Sequence, residues 1–308
     1  MRNSTGTRLH LPSGLIRPVV VVGLALAALA LAGGCSRPPA GLAAEDSPGS
    51  TRAPDSTSEY LPGLEADVYL PDRDMTGDVP VVLLVPGGGW QTADRSGLAP
   101  LAAELADAGF FAVNATYRAG VEGVAFPVPV QDVACASAFA AEAARSAGVD
   151  VGPVVALGHS AGGHLASLAA LGVAGPAGQC PYPTPQITGL IGVAGVYDVR
   201  AFEFGLVDFF GGTPEEKPEA WREGDPIGLV DAGGAPEDLQ VLLLHGLSDD
   251  DVPLEQSHAF ESSLTRAGVP VRLEIVPGAT HQTIYSADVA GPAAIAWIRE
   301  LAAGRSTG

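Results

Sequence analysis

Gly158-His159-Ser160-Ala161-Gly162 matches the pattern G-x-S-x-G, with the apolar run 153–158 before it and an Ala- and Leu-rich run after it. A serine on a tight turn between a strand and a helix can attack an acyl carbonyl. The flanking glycines let neighbouring backbone approach without a Cβ clash. The turn thrusts Oγ out at a helix N-terminus, where N–H groups favour negative charge. A Gly-rich turn holding an ordinary serine is the alternative, and the flanking strand and helix signals weigh against it.

The same chemistry needs donors for the oxyanion that forms on attack. Pro86-Gly87-Gly88-Gly89-Trp90 closes the apolar run 79–86. Backbone N–H groups of Gly88 and Gly89, with that of Ala161 after the serine, are the expected donors. One such donor is typically worth about 3–4 kcal/mol of transition-state stabilisation. Trp90 is expected to wall an acyl pocket, with core packing as the alternative.

The base is reached by elimination among six histidines. His10 belongs to the leader, and His159 points elsewhere from inside the turn. His164 lies one turn into the next helix, His245 ends a strand, and His258 sits within a helix. His281, on the loop Gly278-Ala279-Thr280-His281-Gln282 after the last strand, follows the chain order serine, acid, histidine. For the acid, Asp249, Asp250 and Asp251 compete after strand 239–245, and Asp198 is a further rival. Composition does not choose among them.

These groups need a scaffold. Apolar runs at 79–86, 110–117, 153–158, 187–195, 239–245 and 271–276 are short and apolar throughout, which suits a parallel sheet covered on both faces. The run 64–70 alternates and reads as an antiparallel edge strand. Helical spacing recurs at 97–108, 128–147, 161–172, 254–267 and 286–303. The alternation predicts an α/β architecture: a mostly parallel central sheet flanked by helices. Residues 200–235, rich in aromatics and turn residues, interrupt it as a short lid insertion.

The N-terminus reads as an address. Arg2, Arg8 and Arg17 precede the apolar run 18–32, and Ala32-Gly33-Gly34-Cys35 follows. The run falls short of the roughly 20 apolar residues a span needs. A basic start, an apolar stretch and small residues at the cut site form a secretory signal over 1–34. Small residues directly before Cys35 resemble a bacterial lipobox, although Ala32 stands where leucine is usual. Residues 35–58 would then be the lipid attachment and a Pro- and Ser-rich linker too polar to fold, and 59–308 the folded domain. In an exported protein Cys135 and Cys180 could pair; two buried thiols are the alternative.

The net charge is −19. Losing the leader drops Lys and Arg from 16 to 13 against 35 acids, a net −22. So acidic a chain repels nucleic acid. No Cys/His cluster has metal-ligand spacing, and no cofactor is expected. Oligomeric state is not legible.

With these residues in hand the chain resembles the α/β-hydrolase esterases of the BD-FAE-like group, which includes acetyl-xylan and feruloyl esterases, and the related hormone-sensitive-lipase-like enzymes. The segments LEADVYLP, VPGGGW, NATYR, GHSAGGHLA, GVYD, HGLSDDDVP and PGATH carry the resemblance from about residue 60 to the end. It implies the α/β-hydrolase fold and selects Asp249, four residues past His245, as the acid. It also implies a carboxylesterase acting on small acyl esters through Ser160, His281 and Asp249. Pro86 departs from the usual HGGG by replacing its histidine. Arg118, in the pair Tyr117-Arg118, reads as a structural ion pair rather than a substrate clamp. A prolyl-oligopeptidase-like peptidase, a small-amide hydrolase and a non-catalytic surface scaffold are the rival readings.

Overall fold

The segment Val79–Val85 is apolar at every position, so both of its faces must be covered. It becomes strand β3 of an eight-stranded sheet. The computed structural model describes residues 52–72, 77–173, 180–202 and 204–305. The leader, Cys35 and nearly all of the linker lie outside the described residues.

The strands are β1 (Ser56–Leu61), β2 (Leu64–Tyr69), β3 (Val79–Val85), β4 (Phe111–Ala115), β5 (Val151–His159), β6 (Ile187–Val193), β7 (Gln240–Gly246) and β8 (Val271–Val276). Their spatial order is β1-β2-β4-β3-β5-β6-β7-β8. The first two pairings are antiparallel and the rest parallel. Helices α1 (Ala99–Asp107) and α8 (Ala287–Arg305) share one face. Helices α2 (Val128–Ser146), α3 (Ala161–Ala170) and α7 (Glu255–Arg266) cover the other. Alternation along β3 divides the core: Val81, Leu83 and Val85 join the α2–α3 layer, while Val82 and Leu84 join the α1–α8 layer.

The segment expected as a lid holds three short helices, α4 (Leu206–Phe210), α5 (Pro218–Glu223) and α6 (Pro226–Asp231), between β6 and β7. Among the described residues, no helix is long and apolar enough to cross a membrane.

Two expectations shift. The strand read as the sheet edge, β2, is flanked on both sides, because β1 lies outside it with Ser56 opposite Val68. The boundary read at residue 59 therefore moves back, and Asp55 N–H already bonds the Val68 carbonyl at 2.8 Å. Ser56, Thr57 and Ser58 look like linker because an edge strand can turn polar side chains to water while its backbone pairs.

The disulfide pairs Cys135 on α2 with Cys180 ahead of β6, with Cα atoms 5.5 Å apart.

Candidate active site

Strand β5 ends at His159 and α3 begins at Ala161, so Ser160 alone makes the turn. It does so with φ 54° and ψ −123°, a left-handed backbone for a non-glycine residue. Such strain costs about 1–3 kcal/mol and persists only where the surroundings enforce it. They do: Ser160 N–H donates to the Val193 carbonyl at 2.9 Å, while a Cβ on Gly162 would drive into the carbonyls of Val85 and Pro86. The helix is thus seated directly on the end of β3.

Ser160 Oγ lies 2.9 Å from Nε2 of His281, and Nδ1 of His281 lies 2.8 Å from Oδ2 of Asp249. A carboxylate only accepts, so Nδ1 carries the imidazole proton and Nε2 accepts from the serine hydroxyl. Asp249 Oδ1 accepts from the N–H groups of Val252 (2.8 Å) and Asp251 (3.0 Å). Burial pushes the Asp249 carboxyl up, but the bonds from His281 and Val252 outweigh it and hold the group below its ordinary value. It stays a carboxylate.

The rivals are placed elsewhere. Asp250 and Asp251 are exposed at the cleft rim. Asp198 Oδ1 caps a turn, accepting from Arg200 and Ala201 N–H. His245, 3.5 Å from Asp249, has Nε2 bonded to the Val252 carbonyl at 2.9 Å and Nδ1 to Ser257 Oγ at 2.7 Å. Burial lowers its basicity.

The glycine loop reaches the serine. A Cβ on Gly87 would lie 3.0 Å from Ser160 Cβ. Gly88 and Gly89 follow at φ 138° and 58°, backbone that glycine tolerates best. Among the described residues, no acceptor takes the N–H of Gly88, Gly89 or Ala161. Pro86, where the pattern usually has histidine, offers its carbonyl to the Tyr117 hydroxyl at 3.2 Å, and Tyr117 is fully buried. Neighbouring Arg118 makes a fork on Asp132 at 2.6 and 2.9 Å, the structural pair expected.

A cleft of about 700 Å³ opens over Ser160 and His281. Trp90 lines it yet is only 2% exposed, so wall and core packing coincide. Trp90 Nε1–H donates to His164 Nδ1 at 3.1 Å, and His164 Nε2–H donates to the Gly224 carbonyl at 2.8 Å. This ties the glycine loop to the segment between β6 and β7. Phe202, Phe204 and Tyr285 add apolar surface, and Asp94, Asp250 and Asp251 set its rim. His159 also lines the cleft, contrary to the expectation that it points away. Its ring centroid is 4.6 Å from that of His281. The local motif carried no signal for a partner 122 residues away. Among the described residues, no three or more His, Cys, Asp or Glu side chains gather as a metal site.

Sheet order and serine turn together define an α/β-hydrolase. The BD-FAE family model matches residues 66–264, and the chain belongs to that family. Among its relatives, esterase LipC of Mycobacterium tuberculosis is 32% identical, over 68% of this chain and 54% of its own length. The probable carboxylic ester hydrolase LipM of the same organism is 29% identical, over 68% of this chain and 50% of its own. The chain spans about half the length of these curated relatives. Among solved structures, a truncated carbohydrate esterase from gut microbiota superposes with TM-score 0.66 at 21% identity, covering 77% of this chain and 90% of that one. A butyrate-bound thermophilic esterase of Thermogutta terrifontis gives TM-score 0.63 at 22% identity, over 82% of this chain and 93% of that one. These two likenesses speak for the fold.

Proposed function

We propose that this chain is a serine carboxylesterase that hydrolyses small acyl esters through an acyl-enzyme. One observation carries the reading: the unbroken line from Asp249 through His281 to the Ser160 hydroxyl, with contacts of 2.8 and 2.9 Å. His281 Nε2 takes the hydroxyl proton as Oγ attacks the ester carbonyl. Asp249 steadies the imidazolium. The N–H groups of Gly88, Gly89 and Ala161 receive the oxyanion. Collapse expels the alcohol, which takes the proton from His281. Water, deprotonated by His281, then attacks the acyl-serine and frees the acid. The names of the relatives support ester hydrolysis, and the butyrate held by one fold neighbour supports short acyl groups.

Hydrolysis of p-nitrophenyl acetate and butyrate by purified residues 36–308, beside Ser160→Ala, tests this. Activity should fall by about 10⁶-fold in the variant, toward the background left by binding and oxyanion donors. A parent inert on both esters, or a variant as active as the parent, overturns the reading.

We also propose that the chain is exported and held at the membrane by a lipid on Cys35. The Cys135–Cys180 disulfide supports export, since such bonds persist in oxidising compartments. Radiolabelled palmitate should be incorporated by the native chain in bacterial cells and not by Cys35→Ser; equal labelling of both would sink the anchor.

A further inference from the structure

The base needs more than its two ring contacts. Those contacts fix how the His281 imidazole is turned, but not where its Cα sits. The residue lies in an irregular turn between β8 and α8. Among the described residues, one hydrogen bond reaches its main chain: His159 Nε2 to the His281 carbonyl, at 3.0 Å. A carbonyl only accepts, so His159 carries its proton on Nε2 and donates. His159 is also the residue directly before Ser160. A single side chain on the serine's own strand therefore holds the backbone of the base.

We propose that His159 is a positioning residue for His281, setting the Nε2-to-Oγ distance across the two chain segments. The inference rests on the esterase reading above. It deepens that reading, because the contact between Ser160 and His281 must break and re-form in each half of the cycle. When the proton moves to His281 and on to the leaving alcohol, the serine contact is lost. The bond to the carbonyl and the bond to Asp249 remain. They return the ring to the same place for the attacking water.

The surroundings of His159 fit this task. Its ring packs against those of His281 and Tyr285, with centroids 4.6 and 4.3 Å away. It is only 6% exposed. Burial, and then the charge of His281, push its pKa down to about 3. It therefore stays neutral beside the imidazolium that His281 becomes, where a second cation would oppose proton transfer. Gly87 also lies against the ring, since a Cβ there would stand 2.9 Å from His159 Nδ1. One role of the first glycine of the loop is thus to leave room for His159.

The test compares His159→Leu, which keeps bulk and loses the donor, with His159→Gln, which keeps a neutral donor. Hydrolysis of p-nitrophenyl acetate is resolved into kcat and KM, and thermal melts confirm folding. The leucine variant should lose kcat by about 10²-fold, the cost of misplacing a reacting group by about 1 Å. Its KM should stay within about twofold, because Nε2 is engaged by the His281 carbonyl and leucine keeps bulk at this part of the cleft wall. Glutamine should restore most of the loss. A leucine variant with the parent's kcat overturns the proposal, and so does a loss that glutamine fails to rescue. If the leucine variant does not fold, nitrogen-15 NMR of the parent decides. A proton on His159 Nε2 supports the proposal and one on Nδ1 overturns it. The NMR arm needs no turnover, so it stays informative even if Ser160→Ala shows the esterase reading to be wrong.

Discussion

Asp249 gives one carboxylate oxygen to Nδ1 of His281, at 2.8 Å, and the other to the backbone N–H groups of Asp251 and Val252. The residue thus orients the imidazole and braces its own turn. Its side chain is 1% exposed, so few other arrangements of the carboxyl are open to it.

Asp249→Asn should therefore leave the fold intact and reverse the tautomer of His281. The backbone donors keep the amide oxygen, which turns the amide NH₂ toward Nδ1. Nδ1 must then accept, Nε2 becomes protonated, and the serine hydroxyl loses its acceptor. The expected result is a kcat lower by about 10⁴-fold with KM little changed. Asp250→Asn, at the exposed neighbour, should stay within about threefold of the parent, as surface changes usually do. Steady-state kinetics on p-nitrophenyl acetate separate the two. A kcat for Asp249→Asn within about tenfold of the parent would remove Asp249 from its role.

How far the placement of these residues was legible in the sequence depended on whether its cause is local. Ser160, Gly88, Gly89 and Ala161 were readable because backbone crowding at a tight turn imposes glycine at fixed offsets. His281 followed from chain order. Asp249 was not separable from Asp250 and Asp251 by residue type. Burial of one and exposure of the other two distinguish them in the fold. His159 and the Trp90–His164 contact were not legible, because their partners lie 122 and 74 residues away. Strand β1 was missed because its first residues are polar, and only pairing with β2 makes them a strand.

Acid should weaken the fold from about pH 6.5 downward, starting above the ordinary carboxylate range. Burial lowers His164 to about 4, and burial with the His281 charge lowers His159 to about 3. In the unfolded chain both return to about 6.5. Between those values the unfolded chain binds protons that the native state refuses, so stability falls as pH drops from about 6.5 toward about 4. Each histidine contributes about 1.4 kcal/mol per pH unit in that window. Asp249, held below its ordinary value, adds a further loss only as pH falls below about 4. Guanidinium melts at pH 7.0, 6.0 and 5.0 read the slope. His164→Gln should be less stable at pH 7.0, since Trp90 and Gly224 lose their partner, yet lose less stability on acidification. A variant with the parent's slope would rule out His164 as a source of acid sensitivity.

The rim of the cleft should select by charge. Asp94, Asp250 and Asp251 line it, and among the described residues that line it there is no lysine or arginine. Three unit charges, each worth about 0.5 kcal/mol at roughly 8 Å in water, amount to roughly tenfold in kcat/KM against an ester carrying its own carboxylate. The comparison is p-nitrophenyl acetate with the mono-p-nitrophenyl ester of succinic acid at low ionic strength. The anionic ester should be the poorer substrate, and the gap should narrow as salt shortens the screening length from about 30 Å at 0.01 M to about 3 Å at 1 M. Asp250→Asn with Asp251→Asn should narrow it at low salt without changing the rate on the neutral ester. Shape alone would make the larger ester slower, but it would do so equally at both salt concentrations and in the double variant. A gap indifferent to salt and to those substitutions would assign the preference to the walls formed by Phe202, Phe204 and Tyr285 instead of the rim.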